Sequence, residues 1–291
     1  MPSAPAESLF SGRMLRPIGE RSLSFFSYLG GVALLFWKSS VGIAAMPWGV
    51  WLTRLVAPWR WREWSADRKW VLLLDQMQKV GVASFPLVFL VAFFTGMVLA
   101  LQSAYQLQKI QAESFIGSLV ALSMTRELGP VLTALVVAGR VGAAITAEVG
   151  TMRVTEQVDA LETLGTDPIR YLASPRLLAL TVMLPLLVVY ADLVGIFGGY
   201  IVGVYKLGIG STMYMNSTWD PLTMKDVMTG LFKTAVFGMI IANIACHEGF
   251  ETRGGAEGVG RSTTLSVVIS FILIITADCF FTALFYFVLP R

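Results

Sequence analysis

Residues 80–108 read VGVASFPLVFLVAFFTGMVLALQSAYQLQ, without a single Asp, Glu, Lys or Arg. As a helix this stretch is about 43 Å long, more than the roughly 30 Å hydrocarbon core of a bilayer. The rest of the chain agrees with it. Of 291 residues, 55% are hydrophobic and only 14% are charged, against about 25% charged in an ordinary soluble domain. A water-soluble fold has too little interior to hide that much apolar surface.

Four further apolar segments lie downstream: Ser114 to Ala147, Leu177 to Tyr205, Val227 to Cys246 and Ser262 to Leu289. The reading is an all-α integral membrane protein of about five transmembrane helices, with N-terminal interfacial helices and a short cytoplasmic helix. Residues 1–79 form the N-terminal interfacial part and residues 80–291 the membrane domain. In the first part, Arg13, Arg16 and Arg21 precede an apolar run, Leu23 to Trp37, that stops at Lys38. A stretch dense in Trp and Arg follows, from Trp48 through Arg60, Trp61 and Arg62 to Trp70. Trp suits the headgroup level and Arg meets anionic lipid there, which places these helices in the cytoplasmic interface. A signal peptide ending near Ala44-Ala45 competes, but the basic stretch beyond the apolar run opposes export. A full span over Leu23 to Met46 ranks between the two.

The connections sort by charge. Those around Lys109 and from Lys206 to Lys225 are poor in Arg. Those from Met152 to Arg176 and from His247 to Arg261 hold Arg153, Arg170, Arg176, Arg253 and Arg261. The positive-inside rule puts the second pair in the cytoplasm and the C-terminus outside. Two cysteines, Cys246 and Cys279, form neither a disulfide framework nor a metal motif, and one histidine, His247, offers no metal cluster or triad. No phosphate-binding GxxxxGK[ST] stretch is present. No cofactor is expected, and any ATP is bound by a partner chain.

Charges inside apolar segments are costly and face a cavity or a partner. Arg126 and Glu127 are adjacent in the second span, and Gly129-Pro130 follows. Pro130 cannot donate to the Arg126 carbonyl, so a kink or break is expected there. Two readings stand level: a cavity for an amphiphile's headgroup, or an ion pair of Arg126 with Asp192 or Asp278. Asp192, Lys233 and Asp278 could also form a proton relay, though without the broken repeat halves of secondary transporters. Gly195, Gly199 and Gly203 make one small-residue stripe. Gly139, Ala143 and Ala147 make another, beside Gly142, Thr146 and Gly150. Packing within one subunit is the first reading and a homodimer seam the second.

Arg153 to Gly165 reads RVTEQVDALETLG. Val154, Val158 and Leu161 recur at helical spacing, with Glu156, Asp159 and Glu162 opposite. Gly165 stops the helix, Asp167-Pro168 turns the chain, and Ser174-Pro175 suits the cap and first turn of the next span. A small acidic helix between two spans is shaped to dock a soluble partner, and its acids disfavour an anionic membrane surface.

The block TRELGPVLTALVVAGRVGAAITAEVGTMRVTEQVDALETLGTDPIRYLASPRLLA, Thr125 to Ala179, resembles the MlaE/YrbE-type permeases of MCE lipid-transport ABC systems. Weaker similarity runs through GGYIVG and GVGRSTTLSVV, so the resemblance covers roughly Val80 to the end. It implies a homodimeric, multi-pass permease of the bacterial inner membrane, not an enzyme. Its implied partners are a cytoplasmic ABC ATPase, a periplasmic MCE-domain protein, a second copy of itself and membrane lipids, with no nucleic acid. The matching coupling residues are Glu156, Gln157, Val158, Asp159, Leu161 and Glu162. Phospholipid or a related lipid would sit in a cavity near Arg126 and Glu127, with Met97, Leu99 and Tyr105 expected along the acyl chains. Two rivals remain: a proton-coupled secondary transporter using Asp192 and Asp278, and a non-transporting scaffold for a lipid-binding protein.

Overall fold

A computed structural model describes residues 27–41 and 68–288. The basic residues up to Arg21 and the Trp/Arg stretch from Trp48 to Trp64 lie outside the described residues. Every regular element among the described residues is helical. Helix α1 covers residues 27–41. Helix α2, Arg68–Val80, meets α3, Phe85–Leu107, at an elbow around Gly81. The second span is one long rod of three α-helical pieces, α4 (Ile116–Ser123), α5 (Gly129–Val137) and α6 (Ala143–Val154). Helix α7 is Gln157–Thr163, α8 Ser174–Ile201, α9 Ser211–Trp219, α10 Met224–Phe250 and α11 Gly255–Val288. Five stretches are long and apolar enough to cross a membrane: Leu72–Ile110, Glu113–Val154, Ile169–Lys206, Met224–Phe250 and Gly255–Phe287. These are the five read from the sequence.

Helix α8 sits at the centre, packed on α2, α3, α5 and α10; α10 in turn packs on α6 and α11. Small residues make these approaches possible, since helices in lipid gain most from close van der Waals fit. A Cβ on Gly96 of α3 would collide with the carbonyl oxygen of Gly195 on α8. Gly199 faces Val120 and Tyr214, and Gly203 accepts the Tyr214 ring of α9. The 195/199/203 stripe is therefore used up inside the subunit. So is the Gly142/Thr146/Gly150 face, which meets Ile241, Thr252 and the Ala245 carbonyl. Gly139 has only Phe271 nearby.

The break expected at Gly129-Pro130 is one wide π turn, Met124–Leu128, after which the rod continues. A second proline repeats the arrangement: the π turn Ile169–Ala173 precedes Ser174-Pro175. In both places the proline stands second after the wide turn. It has no N–H for the carbonyl four residues back, and its ring crowds that carbonyl; widening the turn relieves both. The span thus begins at Ile169, and Ser174 is not its cap. Its hydroxyl instead donates to the Ser39 carbonyl of α1, 3.1 Å away.

Helix α1 is clamped to the end of the bundle where α8 starts and α10 stops. The Tyr28 hydroxyl donates to Glu248 at 2.8 Å, Asn243 donates to the Val32 carbonyl at 3.1 Å, and Tyr28 meets His247 edge to face. Burial and the Glu248 carboxylate push the Tyr28 pKa up, so the hydroxyl stays a donor. Leu29, Leu34, Phe36 and Trp37 of α1 remain exposed, as suits a helix lying against apolar lipid.

Candidate functional site

The chemistry collects where the widened turn of the second span meets α10 and α11. Thr223 and Asp226 form a capping box that starts α10, each side chain holding the other's backbone N–H. Asp226, Gly230 and Lys233 then follow at helical spacing on one face. Gly230 lies against the Thr125 carbonyl, which brings Asp226 and Lys233 beside the π turn. Arg126 spends its Nε and Nη2 on one oxygen of Asp226, at 2.8 and 2.7 Å. Lys233 Nζ lies 3.1 Å from both oxygens of Glu127, 3.0 Å from Asp278, 2.7 Å from the Thr282 hydroxyl and 3.3 Å from the Arg126 carbonyl. Thr282 accepts from Lys233 and donates onward to Glu127 at 2.9 Å.

The Lys233 side chain is only 3% exposed, whereas those of Arg126 and Glu127 are each 40% exposed. Both open into a cavity of about 1050 Å³, lined also by Leu122, Thr229, Phe285 and Tyr286. Its volume is at the upper end of small-molecule sites, roughly 300–1,000 Å³. Arg126, Glu127, Lys233 and Asp278 lie about ten residues, ~15 Å, in from the helix ends nearest α9, whereas Asp226 stands at the very start of α10. These four therefore make a polar floor within the depth of the bilayer, under an opening with aromatic walls.

The pairing read from sequence needs correction. Arg126 pairs with neither Asp192 nor Asp278 but with Asp226, which sequence reasoning passed over because it sits at a helix start rather than inside an apolar run. The signals that would have found it are the T-x-x-D box at Thr223 and its seven-residue spacing to Lys233. Asp278 binds Lys233. Asp192 stands on the other side of the second span, against Gly129, and one of its carboxylate oxygens is buried without a hydrogen-bond partner. Met97, Leu99 and Tyr105 are not brought to the large cavity. Met97 packs by Gly198, Leu99 borders a second hollow of about 290 Å³ with Phe94, Val98 and Leu128, and Tyr105 is 69% exposed under the Lys109 ammonium.

At the opposite end lies α7. The helix read from Arg153 is divided: α6 ends at Val154, Glu156 takes a left-handed backbone with φ of +60°, and α7 begins at Gln157. Gly165 ends it with φ of +73°, as expected of a C-terminal glycine. Val158 is buried and Leu161 half-buried, so the apolar ridge faces inward onto the subunit. Glu156, Gln157, Asp159 and Glu162 are exposed, and Leu164 is 78% exposed. Asp159 is already paired with Arg153.

The family model for the permease MlaE matches residues 73–284. A probable ABC transporter permease protein of Rickettsia prowazekii (strain Madrid E) is 52% identical over 215 residues, covering 74% of this chain and 83% of that relative. One from Synechocystis is 46% identical over 213 residues, 73% of this chain and 81% of its own length. The chloroplastic protein TRIGALACTOSYLDIACYLGLYCEROL 1 of Arabidopsis thaliana is 39% identical over 217 residues, 75% of this chain and 62% of that protein. The five spans and the long match agree: the chain belongs to the MlaE permease family, a multi-pass inner-membrane permease of the ABC-transporter kind and not itself an enzyme.

Proposed function

We propose that this permease moves phospholipid or a related lipid, working as a homodimer with a cytoplasmic ABC ATPase on one side and an MCE-domain protein on the other. One observation carries the reading: a cavity of about 1050 Å³ whose floor is charged and whose walls include Leu122, Phe285 and Tyr286. An amphiphile has that polarity, a headgroup for Arg126 and Glu127 and chains for the apolar wall. In this proposal the second copy supplies the facing wall, and α7 supplies the handle for the ATPase. Closure of the ATPases pushes on α7 and the second span transmits the push to the π turn. The cavity then narrows, and lipid enters or leaves toward the MCE protein.

A proton relay through Asp192 and Asp278 gains less support, because no hydrogen bond joins the two among the described residues. The test is lipid transfer from proteoliposomes holding the permease, its ATPase and its MCE partner. Transfer should require ATP and fall when Arg126 and Glu127 are both changed to Ala. Transfer that ignores this double substitution would favour a scaffold. Transfer without the ATPase that is lost on Asp192→Asn or Asp278→Asn would favour the relay.

A further inference from the structure

We infer that the cavity discriminates by headgroup charge, taking lipids with a zwitterionic head ahead of those with a net negative one; this rests on the lipid reading above. The argument is a charge count combined with an account of which donors are already spent. Among the described residues three cations, Arg126, Lys225 and Lys233, and two acids, Glu127 and Asp226, line the cavity, and a third acid, Asp278, pairs with Lys233. They cancel. A site built for an anion at membrane depth would show surplus positive charge, because an uncompensated negative group is costly there.

Lys233 is the obvious candidate for a phosphate, yet it is closed to one. An ammonium has three N–H donors. Those of Lys233 face Glu127, Asp278, Thr282 and the Arg126 carbonyl, and its side chain is buried. Lys225 also has an interaction of its own. The Arg126 guanidinium keeps N–H groups beyond the two given to Asp226, and it reaches the cavity. One residue away the Glu127 carboxylate reaches the same cavity. What a ligand meets is thus one positive and one negative group side by side. A phosphate joined to an ammonium matches both. A phosphate joined to a neutral glycerol meets Arg126 but brings a further negative charge to the Glu127 carboxylate, which already shares its one cation, Lys233, with Asp278.

The experiment uses the full-length permease in nanodiscs of equimolar phosphatidylethanolamine and phosphatidylglycerol with identical acyl chains. Lipid retained after mild detergent is identified by native mass spectrometry. The same measurement on Thr229→Trp, which puts an indole into the cavity beside the Arg126 and Glu127 floor, subtracts lipid held elsewhere. In the wild type the Trp-sensitive lipid should be enriched in phosphatidylethanolamine by about fivefold, the ratio from one charge contact at a half-open site. Glu127→Gln leaves the floor one positive charge in surplus and should move the ratio toward phosphatidylglycerol. Equal retention of both lipids, or more phosphatidylglycerol, in the wild type overturns the selectivity and leaves the lipid reading standing. Retention that Thr229→Trp does not reduce overturns the lipid reading, and the selectivity with it. The wild-type ratio decides the matter even where Glu127→Gln fails to fold.

Discussion

The ammonium of Lys233 stands 3.3 Å from the carbonyl oxygen of Arg126, the carbonyl that Pro130 cannot serve as the next donor in the helix. A residue on the fourth span thus completes the hydrogen bonding of a turn in the second. The same ammonium holds Glu127 and, from the fifth span, Asp278 and Thr282. Three spans meet at one nitrogen, which makes the floor of the cavity a structural joint as well as a binding surface.

Lys233→Met should therefore cost about 1–3 kcal/mol, since it strips the half-buried Asp278 and the more exposed Glu127 of their shared donor. Thermal unfolding in nanodiscs reads it as a lowered midpoint. The double variant Lys233→Met with Glu127→Gln should recover part of the loss, since one orphaned carboxylate is removed. A Lys233→Met protein as stable as the wild type would show that the joint carries no load.

Gly96→Ala should part the first and third spans, because the added methyl meets the Gly195 carbonyl, a backbone atom that cannot swing away. Overpacking of this kind costs about 1–3 kcal/mol. Gly260→Ala has open space around its Cβ and should be neutral or stabilising by up to ~1 kcal/mol through helix propensity. The two midpoints measured side by side separate close packing from a general intolerance of substitution.

Replacing Glu156 and Asp159 together with Lys should release the ATPase on purification from mild detergent while leaving the permease folded, since both side chains are exposed. Asp159→Asn alone should have a smaller effect, because Arg153 already neutralises that carboxylate. A complex that survives the double reversal would remove α7 as the docking element.

Tyr28→Phe should loosen α1. It deletes a hydrogen bond to the buried Glu248 carboxylate, a contact worth about 1.5–3 kcal/mol when one partner is charged. Limited proteolysis should cut residues 27–41 faster. The folded pKa of Tyr28 is raised above its ordinary 10.0, so its contribution is full below pH 10 and is lost as pH climbs toward the folded value. Alkaline solution should expose the same cleavage sites in the wild type.

The five spans, the stop at Gly165 and the disturbance at Pro130 were legible in the amino-acid order, because each depends on neighbours in the chain: twenty or so apolar residues, a glycine that accepts a positive φ, a missing N–H. Arg126 and Glu127 stood out for a similar reason, as charges where the surroundings are apolar. Their partners did not. Asp226 looks like an ordinary residue at a helix start, and only the contact of Gly230 with the Thr125 carbonyl turns it toward Arg126. Likewise Val158 faces inward rather than toward a partner, and Ser174 serves α1 rather than its own helix. Hydropathy and backbone chemistry act locally and can be read along one dimension. Which charge meets which, and which wall closes a cavity, depends on how spans far apart in sequence rotate and dock, and close packing of the whole bundle decides that.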